Sequence, residues 1–122
     1  MNRIKVVNKN NHIPTNNDFY IGRGSVLGNP YTSKKLDNTK ATFQCSSREE
    51  AIDKYNTYLR GKIRRKDKEV MSVLNEMIEA LKTSDINLLC YCKPKDCHGD
   101  IIQSCILKMI SQSIMDKILN VK

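Results

Sequence analysis

The sequence predicts a small α/β fold, in which helices pack on one sheet and a site lies at the carboxyl ends of the strands. Short apolar runs alternate with longer helical patterns along the 122 residues. A glycine-rich loop follows one apolar run, and a cysteine-rich loop follows another. The length suits one α/β domain over residues 1–122 with a modest core.

Short apolar runs between polar segments predict three strands. The first holds Ile4, Val6 and Val7 and leads into a polar loop. The last begins with the apolar run Ile86 to Leu89. The predicted strands are residues 3–8, 19–21 and 86–92. Residues 34–44 are polar and weakly patterned, so they predict a surface connection.

Three helices are predicted from capping residues and helical spacing. Ser47 caps the first, and Glu50 three residues later completes a capping box. Gly61 weakens or ends that helix. The second runs from Glu69 to Lys82 with one apolar stripe, and the third begins near His98. The order strand, strand, helix, helix, strand, helix fits a small α/β layer fold.

The charge balance is basic, with 21 Lys and Arg against 13 Asp and Glu, a net charge of +8. This excess indicates an anionic partner, either a nucleic acid or a phosphorylated small molecule. In the run Lys62 to Lys68, five of the seven residues are Lys or Arg and none is aromatic. The run is either a solvated face or a nucleic-acid contact.

No apolar window is long enough to span a membrane, and the N-terminus lacks a signal-peptide core. We therefore expect a cytoplasmic protein without a membrane partner. Five cysteines form an odd number, and a disulfide framework is not expected in that compartment. The reduced thiols are buried apolar residues, metal ligands or reactive groups.

The cysteine-rich loop matches the ligand inventory of zinc. Cys90 and Cys92 lie two apart on a predicted strand and face one side, and Cys97 and His98 follow a turn. The spacing departs from the usual pairs of ligands, since adjacent Cys97 and His98 would have to reach the same ion. A zinc-stabilised nucleic-acid-binding module is therefore one alternative, and apart from that zinc ion we expect no cofactor.

A second interpretation makes Cys97 a reactive thiolate at a helix N-terminus, where the helix dipole favours an anion. Lys93, Lys95 and His98 add positive potential. Asp100 would orient His98. Cys97, His98 and Asp100 would then be the catalytic residues of a Cys/His-dependent hydrolase or transferase.

The glycine-rich loop is the second candidate wall of the site. Gly22, Gly24 and Gly28 allow close approach of the backbone to a ligand. Arg23 offers a planar fork for phosphate, and the neighbouring Ser25 and Asn29 add hydrogen-bonding side chains. The loop is not a Walker motif, because no Gly-Lys-Ser/Thr follows. It is not a Rossmann fingerprint, because the third glycine is misplaced and no helix pattern begins there.

These stretches together resemble the uncharacterised family known as domain of unknown function 4326. The similarity lies in Gly22-Arg23-Gly24-Ser25 with Gly28-Asn29-Pro30-Tyr31, in Arg48 to Ile52, and in the Cys-x-Cys-x-Pro-x-x-Cys-His-Gly-Asp block. It covers most of residues 19–107. The resemblance implies a phage or bacterial origin and a site at these loops, and it implies no reaction. The basic segment 62–68 and Tyr91, where tryptophan is frequent, depart from the pattern.

We therefore expect the chain to bind, and to sequester or process, a nucleotide-like anion such as a nucleotide or an ADP-ribose derivative. The two loops should meet in one pocket, which requires their strands to be parallel neighbours. Tyr20 or Tyr31 would stack on a base. The sequence is also compatible with assembly into a homo-oligomer. The expected ligand-binding residues are Tyr20, Gly22, Arg23, Gly24, Ser25, Gly28, Asn29, Tyr31, Cys92, Lys93, Cys97 and His98.

Overall fold

The chain folds into a parallel sheet of three strands, a separate pair of short strands and three helices, in a computed structural model that describes residues 2–32, 43–95 and 97–120. The helices cover the larger sheet, which confirms the predicted α/β class. The strands are β1 Ile4–Asn8, β2 Asp18–Tyr20, β3 Tyr31–Thr32, β4 Phe43–Gln44 and β5 Ile86–Cys90. The helices are α1 Arg48–Arg64, α2 Lys68–Leu81 and α3 Gly99–Leu119.

The larger sheet has the order β1-β5-β2, and β5 pairs in parallel with both neighbours. In the register, Ile4 lies opposite Ile86 and Tyr20 lies opposite Leu89. Because all three strands run the same way, their carboxyl ends share one edge of the sheet. The prediction that the strands before the two loops are parallel neighbours is confirmed.

The hydrophobic core lies between this sheet and the helices. Ile86 and Leu88 of the central strand are fully buried, as expected for a strand covered on both faces. Helix α2 buries the stripe formed by Val70, Leu74, Met77 and Leu81, and α1 buries Ala51, Tyr55 and Leu59. Helical spacing in the sequence predicted the α2 stripe. In α1 it predicted the buried Tyr55 and Leu59, whereas Ile52 and Ile63 of the same pattern are only partly buried.

Helix α1 begins as predicted and continues past Gly61. The Ser47 side chain accepts a hydrogen bond from the Glu50 amide at 3.1 Å. The Glu50 carboxylate accepts from the Ser46 hydroxyl at 2.6 Å, one residue before the partner expected in a capping box. The helix continues through Gly61 to Arg64, so of the two expected effects of Gly61, weakening or ending the helix, it does not end it. One internal glycine costs only ~1 kcal/mol, which the buried apolar face offsets.

The smaller sheet was not predicted. Tyr31–Thr32 pairs in parallel with Phe43–Gln44, and the Phe43 amide donates to the Pro30 carbonyl at 2.8 Å. The predicted surface connection over residues 34–44 is therefore wrong for its last two residues, and residues 34–42 of it lie outside the described part of the chain. Strands of two residues carry no periodicity that a sequence pattern could reveal.

Helix α3 begins against the sheet and extends beyond it. At its first residue, Gly99, an added Cβ would lie 2.7 Å from a Val6 methyl and 2.9 Å from an Ile21 methyl. Glycine therefore lets the helix approach β1 and β2 closely. Its later residues, from 111 onward, are exposed. Within the described ranges, no helix combines the length and apolar character needed to cross a membrane.

Candidate functional site

A pocket of about 560 Å³ opens at the carboxyl edge of the larger sheet. The glycine-rich loop forms one wall, the cysteine-rich loop forms another, and the start of α1 forms a third. The two loops thus meet as the sequence predicted, where ligands of parallel sheets commonly bind. The residues that line it are Tyr20, Gly22, Arg23, Asn29, Thr32, Arg48, Ala51, Ile52, Cys90, Tyr91, Cys92, Lys93, Pro94, Lys95, Cys97 and His98.

The glycine-rich loop keeps its shape through short internal hydrogen bonds. The Ser25 hydroxyl and amide both donate to the Gly22 carbonyl, at 2.6 and 3.1 Å. Gly24 has φ 93°, a conformation that favours glycine, and a Cβ at Gly28 would lie 2.6 Å from the Gly22 carbonyl oxygen. Gly24, Ser25 and Gly28 therefore shape the loop, and the pocket lining does not include them.

Two hydrogen bonds fasten this loop to α1. The buried Tyr55 hydroxyl donates to the Leu27 carbonyl at 2.6 Å. The Asn29 amide donates to the Ala51 carbonyl at 3.2 Å, while its oxygen accepts from the Tyr31 amide at 2.9 Å. Both donors are buried, so the loop is part of the folded core and not a loose surface segment.

Arg23 has unused hydrogen-bonding capacity beside the pocket. Its Nη2 donates to the Tyr31 carbonyl at 2.8 Å, which fixes one side of the guanidinium. Its Nε is buried and has no hydrogen-bond partner among the described residues. A buried N–H without a partner is costly, and a ligand oxygen would remove that cost.

His98 joins the cysteine-rich loop to the end of β2. Its Nε2 lies 2.5 Å from the Ile21 carbonyl oxygen, and a carbonyl only accepts, so this nitrogen carries the proton. The Nδ1 atom, 3.6 Å from the Cys97 sulfur, is then the acceptor of the neutral ring. Burial lowers the pKa of His98, which keeps that neutral form at neutral pH.

Cys92 and Cys97 differ in their environments. Cys97 is buried, and a hydrogen bond to Cys92 together with this burial raises the pKa of its thiol. Cys92 is half-buried and faces the pocket. Its hydrogen bond with Cys97 lowers the pKa of Cys92; partial burial opposes the shift, and the Arg48 hydrogen bond and the charges of Arg48 and Arg23 reinforce it. The environment therefore favours the thiolate at Cys92 and not, as expected, at Cys97.

Two other side chains have partners that differ from those expected. Asp100 pairs with the Lys93 ammonium at 2.9 Å and makes no described hydrogen bond to His98, so the expected orienting contact is wrong. The Tyr31 ring stacks on Phe43 with ring centres 5.2 Å apart. Tyr31 is absent from the pocket lining, whereas Tyr20 lies there beside Tyr91, with ring centres 6.1 Å apart.

The zinc interpretation has little geometric support. In residues 2–32, 43–95 and 97–120, no group of three or more His, Cys, Asp or Glu side chains is arranged to hold a metal ion. Of the four proposed ligands, His98 is bound to Ile21 and the Cys90 thiol donates to the Val7 carbonyl at 3.5 Å. Cys92 and Cys97 contact each other.

Arg48 is the most important lining residue that the sequence interpretation of the site left out. It is the first residue of α1, directly after the Ser47 cap. A cation there opposes the helix dipole, which favours acidic residues in the first turn. That unfavourable placement is the signal that could have marked Arg48 as functional. The remaining unpredicted lining residues are Thr32, Ala51, Ile52, Tyr91, Pro94 and Lys95.

Comparison with known proteins gives one family. The family model described as Domain of unknown function (DUF4326) matches residues 4–108, which contain all of the residues that line the pocket. No curated protein and no solved structure matches the chain.

Proposed function

Since the chain belongs to the DUF4326 family, whose description names no reaction, we propose a function from the pocket itself: it binds a nucleotide-like phosphorylated small molecule. One observation carries the proposal. Arg23, Arg48, Lys93 and Lys95 all line the pocket, and no carboxylate does so among the described residues. A volume of about 560 Å³ suits a ligand of nucleotide size.

The phosphate groups would lie against the two guanidinium groups. Arg23 offers the buried Nε that has no partner in the described part of the chain, and its Nη2 is already fixed by Tyr31. Arg48 approaches from the first turn of α1 and contacts the Cys92 sulfur. A planar, permanently charged fork suits phosphate oxygens better than a lysine does, because it can donate two parallel hydrogen bonds.

The base would lie at the mouth of the pocket. The exposed rings of Tyr20 and Tyr91 lie there, and the Lys9 ammonium is 5.0 Å from the centre of the Tyr20 ring. Stacking on a tyrosine is tolerant of base identity, since every base presents a π face. The proposal therefore specifies phosphate more strongly than it specifies the base. We infer a cytoplasmic location, which supplies such ligands and suits five free thiols.

Calorimetric titration with ADP, ADP-ribose, inorganic phosphate and unphosphorylated adenosine tests the proposal. We expect the phosphorylated compounds to bind and adenosine to bind far more weakly, with affinity falling as salt rises. Arg48→Ala should abolish most of the difference between ADP and adenosine. The matched control is Arg64→Ala, which removes an exposed arginine from the other end of α1.

Two results would reject this function. One is failure of every phosphorylated compound to bind at millimolar concentration to protein whose fold is verified by circular dichroism. The other is binding that Arg48→Ala and Arg64→Ala weaken equally, which would mean that net charge and not the pocket attracts the ligand.

A hydrolase or transferase is the second candidate, and the contact between Arg48 and the pocket-facing Cys92 favours it. Cys92 and not Cys97 would then be the nucleophile, since Cys97 is buried and Cys92 is only half-buried. Mass spectrometry of the protein after incubation with ADP-ribose measures this. A covalent adduct on Cys92 supports the enzyme, and an unmodified protein with unconsumed ligand supports binding alone.

A further inference from the structure

Two thiols lie in contact on the wall of the pocket. Cys92 is half-buried and lines the pocket, and the Cys97 side chain is hydrogen-bonded to it. A turn explains the contact, because the Lys95 amide donates to the Cys92 carbonyl at 2.9 Å and folds the chain back. Cys97 belongs to the hydrophobic core cluster, and Cys92 packs against it while partly buried.

We propose that Cys92 and Cys97 are a reversible dithiol–disulfide pair, which a hydroperoxide oxidises through the pocket. Cys92 is the sulfur that meets the oxidant, since it is the one of the pair that solvent reaches. Cys97 is the resolving sulfur, already within hydrogen-bonding distance. This goes beyond ligand binding and does not depend on it.

The oxidation takes place in two steps. The Cys92 sulfur attacks one oxygen of the peroxide, the O–O bond breaks, and the departing oxygen takes a proton, which leaves Cys92 as a sulfenic acid. The Cys97 sulfur then attacks the Cys92 sulfur, the S–O bond breaks, and water leaves. The peroxide gains two electrons and the two thiols lose them. Exchange with an external dithiol restores both thiols.

The surrounding groups fit these roles. Arg48 donates to the Cys92 sulfur, so a cation faces the attacking atom. The neutral Nδ1 of His98 is 3.6 Å from the Cys97 sulfur and can take its proton as the second bond forms. The Gly99 amide donates to the same sulfur at 3.4 Å. In this way each sulfur has a partner that stabilises its reacting form.

The other thiols are placed differently. Cys90 donates to the Val7 carbonyl at 3.5 Å. Cys105 is buried on α3, and Cys45 is buried in the connection between β4 and α1. The proposal therefore predicts one specific bond and not general oxidation.

Hydrogen peroxide treatment of the full chain, followed by N-ethylmaleimide and trypsin, locates the bond. Cleavage after Lys95 separates Cys90 and Cys92 in residues 83–95 from Cys97 and Cys105 in residues 96–108. We expect two of the five thiols to be lost to alkylation, the two peptides to be linked between Cys92 and Cys97, and dithiothreitol to restore both thiols.

Single variants assign the roles. In Cys97→Ser no intramolecular bond should form, and Cys92 should accumulate as a sulfenic acid that dimedone traps. Cys105→Ala is the matched control, since it removes a buried thiol from the same tryptic peptide and should leave the bond intact. Circular dichroism verifies that each variant is folded.

Three outcomes would overturn the proposal. They are a bond from Cys90 to Cys92 or from Cys97 to Cys105, bonds only between molecules, and five alkylatable thiols after a peroxide dose that oxidises free cysteine. The first would contradict the pairing, the second the contact within one chain, and the third the reactivity.

Discussion

The charged side chains at the two ends of the parallel sheet differ in how far the protein completes their hydrogen bonds. At the amino end, the Asp18 carboxylate accepts from Asn87 and His12 side chains and from both the amide and hydroxyl of Thr15, at 2.8 to 3.1 Å. Asp85 accepts from the Arg3 amide at 2.7 Å. Both acids have several protein partners.

At the carboxyl end, the cations have bonding capacity to spare. Arg23 keeps a buried Nε without a partner among the described residues, and Lys95 lies exposed on the rim of the pocket. Strand β2 runs from one end of the sheet to the other, since Asp18 is its first residue and Arg23 lies shortly after its last. Charges whose partners are supplied by the fold stabilise it, while charges left incomplete beside a cavity indicate a ligand.

The largest expected effect is at the carboxyl end. Arg23→Ala should weaken binding of ADP by about 1.5–3 kcal/mol, roughly 10- to 150-fold in Kd, the cost of a charged hydrogen bond. The free energy of unfolding should barely change, because the Arg23 side chain makes one described hydrogen bond within the protein. Calorimetry and urea unfolding measure the two quantities, and Arg23→Lys should lie between because it keeps the charge without the fork.

At the amino end we expect the opposite pattern, in which a substitution lowers the free energy of unfolding and leaves ADP binding unchanged. Asp18→Asn should lower the free energy of unfolding by about 2 kcal/mol, since it removes the charge that holds four hydrogen bonds. Binding of ADP to the folded variant should stay unchanged. A variant that loses affinity as much as Arg23→Ala would contradict the division between the two ends of the sheet.

Acid should reproduce part of the Asp18 effect without a mutation. Burial raises the pKa of this carboxyl, but hydrogen bonds from Thr15, Asn87 and His12 outweigh it and lower the pKa to about 2 from an ordinary value of 3.8. Because the folded pKa is the lower one, the stabilisation is full above about pH 4 and is lost as pH falls towards 2.

By pH 3 this loss should reach about 1 kcal/mol. Urea unfolding across this range should show the slope in the wild type, and Asp18→Asn should show a shallower one. Equal slopes in the two proteins would mean that carboxylates other than Asp18 cause the loss of stability in acid.

The smallest effect is expected in the basic run Lys62 to Lys68. There the Lys62 ammonium already pairs with Asp67 at 3.3 Å and lies 5.5 Å from the centre of the Tyr58 ring, away from the pocket. Arg64→Ala should leave ADP binding unchanged and alter stability by no more than ~0.5 kcal/mol. A large loss of ADP affinity would show that the basic run determines binding, and not the cations that line the pocket.

The placement of the site could be predicted from the sequence. Two apolar strands, each followed by a loop rich in glycine or cysteine, had to end at one edge once they were parallel neighbours. Ser47 and the stripe around Leu74 marked the start of α1 and the inner face of α2 for local reasons, namely a capping side chain and helical spacing.

The partner of each side chain could not be predicted in the same way. Arg48 reaches the pocket only because α1 packs beside the glycine-rich loop, and no local pattern encodes that packing. The sequence favoured Cys97 as the thiolate and the structure favours Cys92, because burial and neighbouring charge depend on residues distant in sequence. Asp100 lies near enough to Lys93 to pair with it, a choice that sequence spacing alone left open.

The two hydrogen bonds that fasten the glycine-rich loop to α1 have a thermodynamic consequence for recognition. Tyr55 and Asn29 hold that loop in the folded protein before any ligand arrives. The conformational entropy of the loop is therefore lost during folding, and association does not have to supply it. A preorganised wall of this kind leaves more of the interaction energy available as affinity, and it favours docking without a slow rearrangement of the backbone.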